Sequence, residues 1–391
     1  MKAIGIVVEY NPFHNGHRYH LEEAKKRGEI IIAVMSGDFV QRGEPALINK
    51  WKRAEMALEN GVDIVVELPV FYSTQNAEIF AKGSVKILEH LKVSEIVFGS
   101  ENGNREFLEE IASFEENFEF KEKIKKWLGD GYSYPTAHAK ASIEVFGEGK
   151  ELNPNDILGV EYIKAIKHWN APIEPYPIVR IAKGYHSIEI EGDIASATAI
   201  RKNLEKNIAQ ILNVVPEKSL KILIEEYERG ALISLADFYP LLRYEILRNY
   251  KNLKNIQDME IGFENKLFEC SLNNSNFEDF YSEALSKRFT RGRFQRILIH
   301  ILLGITKEIT EETKKNVPYI RVLGFNKKGR KYLKNINEEI EIPILTSFKN
   351  IRKKLTEEQK KLLEFNELGS EIYSMINPYE NTSLAIRREN E

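Results

Sequence analysis

Four short apolar runs punctuate the first hundred residues: "KAIGIVV" (2–8), "EIIIAVM" (29–35), "VDIVVEL" (62–68) and "EIVFG" (95–99). Each is rich in Ile and Val without clean alternation, the pattern of strands covered on both faces. Between them apolar positions recur at helical spacing: over 17–27, over "NKWKRAEMALEN" (49–60) with Gly61 closing it, and over about 76–91. The succession βαβαβαβ predicts an α/β fold with a right-handed, doubly wound parallel sheet. Ligands bind such sheets beyond the carboxyl ends of the strands, so the loops there are where chemistry is to be sought.

Beyond residue 100 the pattern loosens. Residues 101–150 are more polar, with a turn at "LGDGYSYP" (128–135). "NPNDILGVEYIKAIKHW" (153–169) opens in a turn and continues as a helix, "PYPIVR" (175–180) reads as a strand and "SATAIRKNLEK" (196–206) as a capped helix. From Val214 longer helical patterns take over. This predicts an α/β domain over 1–213 and a mainly α-helical domain over 214–391, as a chain of 391 residues also suggests. Within the second, "YIRVLGF" (319–325) and "EIPILTS" (341–347) flank a helix as a small βαβ annex, and the last dozen residues read as disordered.

Charge narrows the function. With 56 Lys and Arg against 59 Asp and Glu, the net charge is −3, so any nucleic-acid surface must be local. Cys270 is the only cysteine, which excludes an internal disulfide and a multi-cysteine zinc site. The first apolar run stops at Glu9, too short for a signal-peptide core, and no run reaches membrane-span length. A cytoplasmic protein without membrane contact is expected.

"EYNPFHNGHRYH" (9–20) holds three histidines within seven residues directly after the first strand. With the strand ending near Val8 and a helix starting near Gly16 or His17, the turn lies beside a helix N-terminus, which favours a phosphate. Gly16 permits close backbone approach. His14 and His17 can bridge phosphate oxygens and stabilise charge developing in a displacement at phosphorus. His20 extends an inward stripe with Leu21 and Ala24, so packing and ligand lining fit it equally. The three lack an acidic or cysteine partner at metal-site spacing, and no protein-bound structural metal is expected.

"HNGH" (14–17) resembles the HxGH signature of the nucleotidyltransferase superfamily, whose members attack the α-phosphate of a nucleoside triphosphate and release pyrophosphate. "IASATAIR" (194–201) is similar to the ISSTxxR-type motif of the same superfamily, with Ala195 and Ala197 where related enzymes often carry serines. Ser196 and Thr198 offer hydroxyls at a helix N-terminus, and Arg201 a planar fork for the β- and γ-phosphates. Stretches 5–26, 34–58, 152–165 and 194–201, and more loosely 286–304, together resemble the bacterial tRNA(Met) cytidine acetate ligases. That resemblance implies a Rossmann-like nucleotidyltransferase domain and a two-step reaction. Acetate attacks ATP, which enters with Mg2+, to give acetyl-adenylate, and the wobble cytidine of elongator tRNA(Met) then takes the acetyl group on N4.

By matching positions, the ATP contacts would be Val7, Val8, Glu9, Tyr10, Asn11, Pro12, Phe13, Asn15, Gly16 and His20 around the catalytic His14 and His17. Gly99, Asn155, Arg180, Ser196, Thr198 and Arg201 would complete them. In the loop "SGDFVQRGEP" (36–45), Asp38, Gln41, Arg42 and Glu44 are expected acetate or cytidine contacts. "KRFTRGRFQR" (287–296) carries Lys287, Arg288, Arg291, Arg293 and Arg296, no acid and two phenylalanines, a candidate surface for tRNA phosphates. A helix entering the core competes there, because "ILIHILL" follows. HxGH chemistry alone equally fits an adenylyl- or cytidylyltransferase acting on a small phosphorylated metabolite. A non-catalytic tRNA-binding factor is the reading from another class. The long C-terminal domain with its basic Arg-Phe segment favours the tRNA enzyme.

Overall fold

Ten strands follow in chain order among the described residues of a computed structural model: β1 (Ala3–Val8), β2 (Ile30–Ser36), β3 (Phe39–Val40), β4 (Glu44–Pro45), β5 (Ile64–Leu68), β6 (Glu95–Ser100), β7 (Glu174–Val179), β8 (Ile320–Asn326), β9 (Ile344–Leu345) and β10 (Ile386–Arg388). The structure describes residues 1–114, 117–132, 134–147, 152–180, 192–204, 207–286, 288–347, 355–379 and 384–388. The main sheet runs β10-β8-β5-β2-β1-β6-β7, with β9 also on β8. Every pairing in it is parallel except β5 with β8. From β1 the chain winds outward through β2 and β5, then returns to place β6 on the other side of β1. The topological switch point therefore lies between β1 and β6, and the crevice for a ligand opens at their carboxyl ends.

Both faces of the sheet are covered, as the unbroken apolar runs require. Along β2, Ile30, Ile32 and Val34 enter one core and Ile31, Ala33 and Met35 the other. The covering helices begin where their caps dictate. α1 (Asn15–Lys25) is capped by His14, α2 (Lys50–Glu59) by Asn49, and after the short α3 (Val70–Ser73), α4 (Ala77–His90) by Asn76. These spans lie close to the predicted ones.

The boundary expected near residue 213 does not interrupt the packing. "YIRVLGF" forms β8 and, with β9, the expected parallel pair, but it docks antiparallel on β5 of the first sheet. All seven residues of β8 are buried, and one core contains both Ala3 and Ala385. Hydroxyls stitch the halves: Tyr332 donates to the Leu91 carbonyl and Tyr373 to that of Ala46. The expected disordered tail is corrected at Ile386–Arg388, which form β10 while Arg388 pairs with Glu55 and Glu59 of α2. Three residues rich in charge carry no readable period, so the sequence pattern concealed this strand. No helix among the described residues is long and apolar enough to cross a membrane.

Candidate active site

The turn after β1 is built upward from buried aromatic rings. Tyr10 takes a left-handed φ of 49°, uncommon for a residue with a side chain. Its ring lies 4.6 Å from Phe13 and 5.0 Å from His17, so Tyr10 and Phe13 underpin the site rather than line it. Asn11 accepts the Leu47 N–H on its side chain at 2.7 Å and the Arg201 guanidinium on its carbonyl at 2.9 Å. Asn15 donates its amide to the carbonyls of Asp193 and Asn213, tying α1 to the chain after β7. Pro12 is buried within the turn.

His14 and His17 stack at 3.7 Å, and each Nδ1 accepts the other's backbone N–H, at 3.4 and 3.3 Å. This reciprocal cap assigns the ring proton to Nε2 in both. Burial, with Arg180 and Arg201 nearby, pushes His14 down to about 3. Burial first, then the neighbouring His14, His20 and Arg180, hold His17 well below the usual imidazole range, against the pull of the Pro12 carbonyl. Both rings are therefore neutral donors near pH 7. Gly16 lines the cleft and answers a second need as well: a Cβ there would stand 2.9 Å from His14 Cε1, so the glycine makes room for the ring. His20 is fixed through Nε2 to the Val97 carbonyl at 2.9 Å and lines the cleft.

Across from α1, Gly99 is the penultimate residue of β6, and a Cβ on it would reach within 3.2 Å of Arg180. Arg180 donates to Asn155 Oδ1 at 2.8 Å, and the Asn155 amide donates to Glu101. Asn155 thus relays between Arg180 and Glu101. Buried Asp156 accepts the Ser100 hydroxyl and the N–H groups of Glu101 and Asn102, setting the loop after β6. On the third side Ser196 accepts the Ala199 N–H, Thr198 lines the cleft, and Arg201 also reaches Glu44 at 3.3 Å.

These residues, with Val7, Val8 and Glu9, enclose a cleft of about 260 Å³ at the switch point. Gln41, Arg42 and Glu44 join it from the β3–β4 hairpin. Asp38 does not, which corrects the expectation for it. It is 3% exposed and accepts from the Lys50 N–H, Ser370 and Tyr379 at 2.7–2.9 Å. A buried carboxylate needs such donors, and they lie inward.

Other contributors went unread. Arg53, fully buried, donates to the carbonyls of Glu9, Ser36, Gly37 and Ile48, clamping the loops after β1 and β2 together. Phe80, Phe98, Leu158 and Tyr162 form an apolar wall. The i,i+4 spacing of Leu158 and Tyr162 was the available signal for the last two. Among the described residues no group of three or more His, Cys, Asp and Glu is placed to hold a metal.

The basic segment divides. Arg288 and Arg291 are exposed, with Arg291 over the Tyr281 ring at 5.7 Å. Arg293 pairs with Glu260 at 2.8 Å, and Arg296, its side chain 14% exposed, lies 3.9 Å from Asp258. The helix Arg291–Leu303 packs Phe294 inward, so the expected outward row of arginines is revised to two exposed and two paired. Lys287 lies outside the described residues.

A paired-histidine cap at the switch point of a doubly wound sheet, faced by two arginines, defines a nucleotidyltransferase site. Residues 1–388 match the family model described as HIGH Nucleotidyl Transferase. A tRNA(Met) cytidine acetate ligase of Fusobacterium nucleatum is 48% identical over 98% of both chains, and one of Caldanaerobacter subterraneus 43% identical over 98% of this chain and 97% of its own. The crystal structure of Thermotoga maritima TmcAL, apo form I, covers 100% of both chains with a TM-score of 0.92 at 33% identity. The form II structure, bound with alpha-thio ATP, gives 0.89 at 35%. The chain belongs to the tRNA(Met) cytidine acetate ligase family within the HIGH nucleotidyl transferases.

Proposed function

We propose that this chain is an ATP-dependent ligase that activates acetate as acetyl-adenylate and acetylates N4 of the wobble cytidine of elongator tRNA(Met). The observation that carries the chemistry is the neutral, stacked His14–His17 pair at the α1 N-terminus. Its Nε2 protons and the α1 dipole stabilise charge that grows on the α-phosphate as an acetate oxygen attacks and pyrophosphate leaves. Arg201 exchanges Glu44 for the β- and γ-phosphates, and Arg180 holds the opposite side. Phe80, Phe98, Leu158 and Tyr162 offer the apolar wall for the base. ATP enters as its magnesium complex. Residues 214–391 contribute the RNA-facing surface, with Arg288 and Arg291 on tRNA phosphates, and the reaction belongs to the cytoplasm.

The test is acetate-dependent ATP–pyrophosphate exchange together with acetylcytidine formation on unmodified tRNA(Met), read by nuclease digestion and mass spectrometry. His17→Ala should lower exchange about 100- to 1000-fold, as for loss of a transition-state donor. Undiminished exchange in that variant would refute the histidine role, and a wild-type chain that never forms acetylcytidine would refute the ligase.

A further inference from the structure

The nucleotide cleft has a larger neighbour. A cavity of about 920 Å³ lies between the β3–β4 hairpin, the start of α4, the turn after the helix Phe118–Gly129, and the residues leading into the helix Arg291–Leu303. Gln41 lines both spaces, and its backbone N–H is held by Glu9 at 2.9 Å. Two substrates must meet at one carbonyl carbon, and the first cleft is accounted for by ATP and acetate. The second substrate needs its own chamber opening onto that carbon, and the space that shares a wall residue with the cleft is this one.

The lining says what it can take. It carries four carboxylates, Glu78, Glu161, Asp258 and Glu260, and four cations, Lys164, Arg288, Arg293 and Arg296. Such balanced charge suits an uncharged, hydrogen-bonding group better than a polyanion, so phosphates belong outside, near exposed Arg288. Tyr132, 42% exposed, supplies a ring for stacking an unpaired base. Gln41 presents a neutral amide, donor and acceptor together, at the junction.

We propose that this second cavity receives the acceptor nucleoside, an unstacked cytidine from a single-stranded RNA loop, and delivers its exocyclic amine past Gln41 to the acetyl-adenylate. The proposal rests on the ligase reading and adds the place and route of the second substrate. The N4 lone pair forms a bond to the acetyl carbonyl carbon. The bond from that carbon to the phosphate oxygen breaks, AMP leaves with the electron pair, and N4 releases one proton to solvent.

Two variants separate this route from the ATP chemistry. Ala77→Trp fills the cavity from the first turn of α4, and Tyr132→Ala removes a ring that lies edge-on to Trp127 at 5.6 Å and belongs to neither of the two sheet cores. Each is assayed for acetate-dependent exchange, and for transfer of labelled acetate to tRNA(Met) and to an RNA hairpin with one loop cytidine. Exchange should stay within about twofold of wild type. Transfer kcat/KM should fall about 100-fold in Ala77→Trp and about tenfold in Tyr132→Ala, the effect of one lost stacking contact. Unchanged transfer in both variants beside an active wild type overturns the inference, as does exchange that falls in step with transfer. A wild-type chain that forms adenylate but acetylates no RNA overturns the ligase reading first, and this one with it.

Discussion

His14 caps a helix with an imidazole, in a position that Ser, Thr, Asp and Asn usually fill. The same Nδ1 that satisfies the helix leaves the proton on the far nitrogen, so capping and catalysis use opposite sides of one ring. Gly16 preserves that geometry. Gly16→Ala should push the His14 ring aside and cost about 100-fold in exchange, the penalty of an ångström-scale misplacement, while the melting temperature moves little. Exchange at the wild-type rate would show that the ring tolerates the methyl. Burial of the ring also sets a pH dependence. The unfolded chain protonates His14 below about 6.5, and the folded one only near 3. Between these values the unfolded state binds more protons, so stability is lost as pH falls through this window, by up to about 1.4 kcal/mol per pH unit for this group. Denaturant unfolding at pH 7 and pH 5 should show a smaller drop in His14→Gln than in wild type. Equal drops would place the buried proton deficit elsewhere. "HNGH" was legible as chemistry, but the cap, the tautomer and the steric reason for Gly16 depend on ring positions that spacing does not encode.

Among elements, the β3–β4 hairpin joins the two regions of the site. Glu44 receives Arg201 on one carboxylate oxygen and the Gln295 amide on the other. Gly43, at φ 76°, sits so close to the helix Arg291–Leu303 that a Cβ would lie 2.2 Å from the Arg296 nitrogen. Gly43→Ala should therefore cost about 2–4 kcal/mol through strain and displacement, with reduced exchange because Glu44 moves with the tip. A thermal melt and the exchange assay read both, and a variant as stable as wild type would rule out the close approach. The central helices were readable because ten or more residues of 3.6 periodicity lie between clear strands. β3 and β4, at two residues each, have no period, and so "SGDFVQRGEP" gave only a polar loop. Asp38 reads as a loop residue for that reason, because its partners Ser370 and Tyr379 lie more than 330 positions away.

For the molecule as a whole, the presence of β1, β2, β5 and β6 followed from their apolar runs, and a doubly wound sheet with a crevice at its carboxyl edge from the handedness of crossovers, whereas the order of the strands is read from the structure. What did not follow was the docking of β8 on β5. A strand buried on both faces reads alike wherever it pairs, and its partner lies some 250 residues earlier. The same distance separates an apparent second domain from one continuous packing.

That distance also has a meaning during synthesis. A ribosome adds about 5–20 residues per second, so roughly 13–50 seconds pass between completion of β5 and arrival of β8. Throughout that interval the nascent chain carries an uncovered row of N–H and C=O groups along an Ile-Val-Val strand, open to pairing with another nascent chain. The arrival of residues 320–326 closes this edge, so a message truncated before them would release a product that has its histidines but remains open to aggregation.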